Sequence, residues 1–427
     1  MTHPNVVILC VDSLRADTAA IGRLPFTERH ARHFRAARSA GCWTAPATAS
    51  IFTGRFPHEH HVETRSRQTI CRAFPTLAER FALSGYATHQ VTANGVTVLF
   101  GLDRGFEHID RVWEDLPKAS WIDHLLLTLS RPRLRRLLMQ GNRIALETDI
   151  RSSKVWLKGT ADLAFARTRE RLRECRFQRR PGFVFVNLME AHFPYHFGDF
   201  SFLEDNAWGK LQELWALVRL VNESFLMSEQ MTIPAEMLAL LRLRQRLAWV
   251  RLAPALDAFV EELCRRDDTI VVLCSDHGDC FGEEGHAYHF GNVIDPGNRV
   301  PLAILGPTIA PGFMNAPVST RDLGSTLLHL AGIGNDGLDL LREPERSRTV
   351  LQAYWHDVRL LGQRTHPSRQ IDQFCFIHEG RRFVYAKGWS ASSSPIEEIE
   401  DLEARREIQS AFDGFRSFSA AQSEGGL

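Results

Sequence analysis

The chain lacks the features that mark most specialised classes. No stretch of it carries the ~18–20 consecutive apolar residues that a bilayer-crossing helix needs, so no membrane span is visible. No secretory signal is expected either, because Asn5-Val6-Val7-Ile8-Leu9-Cys10-Val11 is short, has no basic flank and stops at Asp12. That run reads as a buried strand. Charge of one sign is not in excess: Lys+Arg and Asp+Glu are both 51 and the formal net charge is zero, which argues against a global field for nucleic acid or an acidic membrane. No nucleic-acid partner is expected. The eight cysteines, Cys10, Cys42, Cys71, Cys175, Cys264, Cys274, Cys280 and Cys375, are scattered without metal-knuckle spacing, and several sit inside apparent strands. Reduced thiols in a cytoplasmic protein are expected. There is no internal repeat. With 44% hydrophobic and 24% charged residues, 29 Gly and 19 Pro, the composition excludes a disordered, collagenous or disulfide-scaffold chain.

A length of 427 residues suits two or three domains, or one large α/β domain with an appendage. Short β-branched runs, Val6 to Val11, Ala87 to Thr92, Phe183 to Leu188, Ile270 to Cys274 and Leu302 to Leu305, alternate with helical segments. This predicts a mostly parallel sheet with helices on both faces. Ligands of such sheets bind beyond the carboxyl ends of the strands, where Asp12, Asn187 to His192 and Ser275 to His277 fall. From about 111 to 180 the sequence turns to arginine-rich amphipathic helix, read as an insertion. It is a solvated helical cap, a substrate lid, a subunit contact in a homo-oligomer, or a surface for an anionic partner. A second helical insertion is expected at about 200–245, and Pro254 beyond it marks a break or a helix start. After Gly334 the residues Phe374 to His378 and Arg382 to Ala386 alternate around Glu379-Gly380, a hairpin signature. The expected division is therefore a catalytic unit over 1–333 and a small C-terminal α+β subdomain over 334–427, with a frayed tail from Ser417.

Three segments carry chemistry. Asp12 ends the first strand and precedes Ser13-Leu14-Arg15; alone it reads more simply as a helix cap than as a ligand. Ser275-Asp276-His277-Gly278-Asp279 closes another strand with adjacent carboxylate and imidazole, which suits a divalent cation or an ordinary buried Asp/His pair. In Trp43-Thr44-Ala45-Pro46 the proline favours a helix first turn, Thr53-Gly54 ends that helix, and Thr44 falls at its positive N-terminal end. Thr44 is an N-cap in the simplest reading, and a nucleophile where a metal lowers its pKa.

In that order these segments resemble the sulfatase branch of the alkaline phosphatase superfamily. The resemblance covers about Asn5 to Pro307 and is strongest at Asn5 to Asp17, Thr44 to Val62, Phe183 to Tyr195, and Thr269 to Pro301 with its closing Arg299-Val300-Pro301. It implies an alkaline phosphatase-like α/β core, and one divalent cation (Mn²⁺, Mg²⁺, Ca²⁺ or Zn²⁺) held by Asp12, Asp276, His277 and the nucleophile oxygen of Thr44. It also implies that His289 faces the leaving group, with His286 competing for that place, and that Arg55 buttresses the nucleophile. His192, Asn94 and His286 form the expected substrate-binding set. A second metal would need a further ligand pair on the helix before the second metal segment; Leu247 to Pro254 carries none, so one metal is favoured.

The departures from the family pattern bear on the reaction. A formylglycine sulfatase needs Cys or Ser where this chain has Thr44, and Arg where it has Thr48; Cys42 does not substitute, since Thr44 then stands where proline is required. The family's Lys-x-His element is replaced by Thr92-Ala93-Asn94-Gly95. A sulfated threonine has no second hydroxyl through which to expel sulfate, whereas a phosphorylated threonine is open to in-line attack by water or an alcohol. The expected activity is hydrolysis or transfer of a small-molecule phosphate mono- or diester through phospho-Thr44. A sulfuric ester hydrolase without formylglycine, and a degenerate, non-catalytic binding protein, are the alternatives.

Overall fold

The computed structural model describes residues 3–62, 69–115, 160–193, 195, 235–265, 268–285, 287–289, 293–334, 337, 339–341, 350–356, 371–378, 381–386, 396 and 399–424. The first apolar run forms the central strand, β1 (Asn5–Val11), followed by α1 (Ala16–Ala19), α2 (Pro25–His30), β2 (Arg32–Arg38), α3 (Thr44–Thr53), α4 (Pro57–His60), α5 (Leu77–Leu83), β3 (Ala87–Thr92) and β4 (His108–Arg111). Next come α6 (Ala161–Phe177), β5 (Gly182–Leu188), α7 (Ala235–Cys264), β6 (Thr269–Cys274), the short β7 (Cys280–Phe281) and β8 (Ala287–Tyr288), α8 (Asp295–Asn298), β9 (Leu302–Leu305), β10 (Gly312–Ser319) and α9 (Leu323–Leu330). The chain closes with β11 (Val350–His356), β12 (Ile371–His378), β13 (Arg381–Ala386) and α10 (Leu402–Glu424).

Eight strands make one mixed, mostly parallel sheet in the order β10-β2-β9-β6-β1-β5-β3-β4, with β9 antiparallel to both neighbours. Alternation along β1 explains its unbroken apolar run: Val6, Ile8 and Cys10 pack on one face with Phe52, Phe183 and Leu327, while Val7, Leu9 and Val11 pack on the other with Phe165, Val184 and Trp249. Both faces are buried, so neither tolerates polar residues. The fold class read from the sequence is thus the observed one. The C-terminal hairpin is present with His378 opposite Arg381, in a three-stranded sheet β11-β12-β13.

Three expectations need correction. Of the stretch read as an insertion, residues 116–159 lie outside the described ones, but α6 is a sheet-covering helix: Ala161, Ala164, Phe165 and Leu172 are buried in the second core. Three of its five arginines are paired, Arg167 with Asp115, Arg169 with Glu262 and Arg171 with Asp110, while Arg173 and Arg176 are exposed. Of the second expected insertion, 200–234 are likewise outside the described residues, and α7 runs through Pro254 without a break. The proline is exposed, as is Val250 at 46%, so the carbonyl freed one turn earlier faces water. The tail, finally, is helical to Glu424, anchored by Ile408, Phe412 and Phe415 against Phe374 and Phe376.

Candidate active site

Register brings the polar strand ends together. Cys10 on β1 lies opposite Asn187 on β5 and Cys274 on β6, so Asp12, Asn187 and Asp276 emerge at the same edge. α3 delivers the fourth group. Trp43 is extended, the helix starts at Thr44, and Gly54 stops it with φ 67°, the left-handed conformation that favours glycine.

Thr44 Oγ1 stands 3.4 Å from Asp12 Oδ2 and 3.4 Å from His277 Nε2. Asn94 Nδ2 donates to Asp12 Oδ2 at 2.8 Å and lies 3.5 Å from Thr44 Oγ1. Its own Oδ1 accepts from Val96 N at 2.9 Å, which fixes the amide's orientation. Asn187 Nδ2 adds a third donor to Asp12 Oδ2 at 3.3 Å. His277 Nε2 is 3.6 Å from Asp12 Oδ1 and 3.5 Å from Asp276 Oδ2, while Nδ1 is 3.1 Å from the Gly278 carbonyl. A carbonyl can only accept, so in the neutral ring Nδ1 carries the proton and Nε2 turns its lone pair on two carboxylates and a hydroxyl.

Asp12, Asp276 and His277 are all fully buried, and Asp276 Oδ2 has no hydrogen-bond donor among the described residues. Burial and the neighbouring Asp12 charge push the Asp276 carboxyl up to about 7. Burial works against charge on His277, yet Asp276 and Asp12 outweigh it and raise the ring. Asp12 shows the opposite balance: burial would raise it, but His192, His277 and the Asn94 hydrogen bond hold it low. What the cluster lacks is positive charge. The donor set, carboxylates, one imidazole and a hydroxyl within a few ångströms, fits a divalent cation.

Beside this cluster His289 Nδ1 sits 2.7 Å from Asp279 Oδ1, and Tyr195 OH donates to Asp279 Oδ2 at 2.6 Å. The His289 ring is 4.5 Å from that of His277 and 5.6 Å from that of His192. Burial and nearby His277 bring His289 down to about 4 despite Asp279. His192 Nδ1 faces its neighbour's carbonyl, Phe193 O, at 2.7 Å.

Of the residues singled out from the sequence, Asp12, Thr44, Asn94, Asp276 and His277 are in mutual contact, and His289 and His192 form a second rank. Arg55 is elsewhere: its guanidinium pairs with Glu59 at 3.5 Å and lies 5.0 Å from the Phe74 ring, at the far end of a ten-residue helix from Thr44. Gly54 ends the helix just before it, and among the described contacts of Arg55 none reaches Thr44. His286 lies outside the described residues. Asn187, Asp279 and Tyr195 had not been singled out. Asn187 at a strand end was a visible signal; Asp279 is bonded to His289 and to Tyr195, contacts that no spacing rule reveals.

The sequence profile of the Sulfatase family matches residues 4–333. A choline-sulfatase of Rhizobium meliloti is 42% identical over 98 residues, 21% of this chain and 19% of its own, so the likeness spans about a fifth of that relative. Among solved structures, a phosphonate monoester hydrolase from Silicibacter pomeroyi superposes with a TM-score of 0.60 at 18% identity, over 97% of this chain and 95% of its own. BT1596, a 2-O GAG sulfatase, does so with 0.60 at 16% identity, over 100% and 94%. Those two share the fold. The profile match, which extends over most of the chain and contains every residue of the cluster, means that the chain belongs to the sulfatase family.

Proposed function

We propose that the chain is a metal-dependent enzyme that hydrolyses or transfers a phosphate mono- or diester through a covalent phospho-Thr44 intermediate. The observation that carries this reading is Thr44 Oγ1 at the start of α3, 3.4 Å from both Asp12 Oδ2 and His277 Nε2. Asp12, Asp276, His277 and Thr44 would hold the cation, which when bound lowers the hydroxyl's pKa and polarises the ester oxygen.

In the first step the Thr44 Oγ1–P bond forms as the bond from phosphorus to the leaving oxygen breaks. The hydroxyl proton passes to Asp12, whose Oδ2 faces it. Asn94 Nδ2, fixed by its bond to Val96, donates toward the oxygens of the transferred group. Asp279 orients His289 through Nδ1 and opposes the burial that lowers the ring, and in its protonated form the ring gives its proton to the departing alkoxide. In the second step water or an alcohol attacks phosphorus in line and loses its proton to His289, and the Thr44 Oγ1–P bond breaks as Oγ1 takes back the proton held by Asp12. Threonine in place of a formylglycine precursor favours phosphorus over sulfur, since the second step then needs no second hydroxyl on the side chain.

Intact-protein mass after brief incubation with phosphate mono- and diesters and Mn²⁺ tests this. A phosphoryl adduct on Thr44 is expected in the wild type and no adduct in Thr44→Ala, with turnover down by on the order of 10³-fold or more. Undiminished turnover in Thr44→Ala excludes the nucleophile. A sulfate ester is the second reading, favoured by the choline-sulfatase likeness; sulfate release lost in Thr44→Ala, without any phosphoester turnover, would establish it instead.

A further inference from the structure

Away from the catalytic cluster, a cleft of about 940 Å³ opens where β2, β9 and β10 meet α1, α2 and the segment after α8. None of Asp12, Thr44, Asp276 or His277 lines it. Its volume lies in the range of sites for small organic ligands. Leu24, Leu273 and Ala303 give it an apolar surface, and Arg35, Arg299 and Phe313 stand on its wall.

The wall is unusual in its charge. β2 and β10 pair in parallel with His33 opposite Phe313, and Arg35 follows on the same face of β2. Phe313, 53% exposed, lies between them: the His33 ring stacks at 5.3 Å and the Arg35 guanidinium sits 3.9 Å from the ring centre. Arg299 Nη2 donates to the Arg35 backbone carbonyl at 2.9 Å. The Arg35 guanidinium thus faces an aromatic ring and the Arg299 guanidinium a backbone carbonyl, partners that orient them without cancelling their charge. Neither has a carboxylate partner among the described residues. The other charges of the cleft are matched, Arg15 by Asp17 and Glu283, and Asp295 by Arg38; Glu28 on α2 is the one lining acid without an ion pair among the described residues.

We propose that this cleft binds an organic anion, with a carboxylate, sulfonate or phosphate head on Arg35 and Arg299 and an apolar body over Leu24, Leu273 and Ala303. The site is independent of the reaction proposed for Thr44. Bidentate donors fixed before binding spare the side-chain entropy that two free arginines would lose.

Octane-1-sulfonate is a suitable probe, because it is not an ester and the catalytic cluster has nothing to cleave. Isothermal titration of the full chain is expected to give a Kd below about 1 mM, about tenfold or more weaker for octan-1-ol and for the Arg35→Gln/Arg299→Gln variant, and unchanged for Asp12→Asn. Circular dichroism checks that the double variant is folded. If it is not, Phe313→Leu, an exposed change, removes the same stack and should weaken binding at least threefold. Absence of binding at 10 mM, equal affinity for the sulfonate and the alcohol, or loss in Asp12→Asn but not in the arginine or phenylalanine variants, each overturns the proposal.

Discussion

Asp12 Oδ2 receives Asn94 Nδ2, Asn187 Nδ2 and the Thr44 hydroxyl, while Oδ1 accepts from Ser13 Oγ. Such a hub tolerates little change. Asp12→Asn keeps the shape, removes the charge and replaces one acceptor with a donor that faces other donors. Bound Mn²⁺, measured by atomic emission after gel filtration, should fall from about one per chain to under ~0.1, with turnover down at least ~100-fold. Metal content equal to the wild type would remove Asp12 from the ligand set. Residues of this kind were legible in the sequence because their types are costly at strand ends: Asp12 and the Asp276-His277 pair follow runs of buried aliphatics where a charge needs a reason. Asp279 was not, since its reason is His289, brought back across the β7–β8 hairpin by antiparallel pairing that spacing alone does not show.

Helix α6 shows how one element depends on another. Its N-cap, Thr160, gives no side-chain cap, and the amides of Thr160 and Ala161 instead donate to Glu190 Oε1 at 2.7 and 2.8 Å. Glu190 lies just beyond β5 and is 2% exposed. Burial raises its carboxyl, the amides opposing. Glu190→Ala leaves two buried amides without an acceptor and should cost about 1–3 kcal/mol, whereas Glu190→Gln, which retains a carbonyl oxygen, should cost about half as much or less. Urea midpoints that fall equally in both variants would rule out a capping role. The buried side of α6 is present in the sequence as Ala161, Ala164, Phe165, Thr168, Leu172 and Cys175 at helical spacing; seven arginines between 167 and 180 conceal it, and Arg167, Arg169, Arg171 and Arg180 among them balance acids that lie far away in the chain. β2 was hidden for a related reason. Arg32-His33-Phe34-Arg35-Ala36-Ala37-Arg38 alternates, but few of its side chains are of the β-branched type on which the other strands were recognised.

Over the whole molecule, buried histidines set a limit toward acid. Burial lowers His60 to about 3 and His89 to about 4, with the charges of His58 and of His108 adding to it. Both rings are neutral in the fold and take up a proton near pH 6.5 once unfolded. Their contribution is therefore complete above pH 6.5 and declines as the pH falls from there toward 4 and 3, by about 1.4 kcal/mol per pH unit for each ring. Stability to urea should drop steeply between pH 6.5 and 4.5, and His60→Gln should flatten that slope by about one proton. A slope unchanged in the variant would contradict the burial argument. The five strands read from aliphatic runs show that the centre of the eight-stranded sheet was accessible to sequence pattern; its edges, where β4, β2 and β10 are partly polar, were not.

The order of the central strands also bears on how the protein is made. β1 is synthesised before the strands on either side of it, β5 and β6, which follow it by 177 and 264 residues along the chain. Until residue 274 has emerged, Val6 to Val11 has at most one partner, and Asp12 waits beside a strand whose opposite edge is open. The carboxylates of the cluster cannot meet before Asp276 has been synthesised. Metal capture is thus a late event, and a ribosome that stalls before Asp276 releases a product with an exposed central strand and no cation site, a natural substrate for chaperones and proteases.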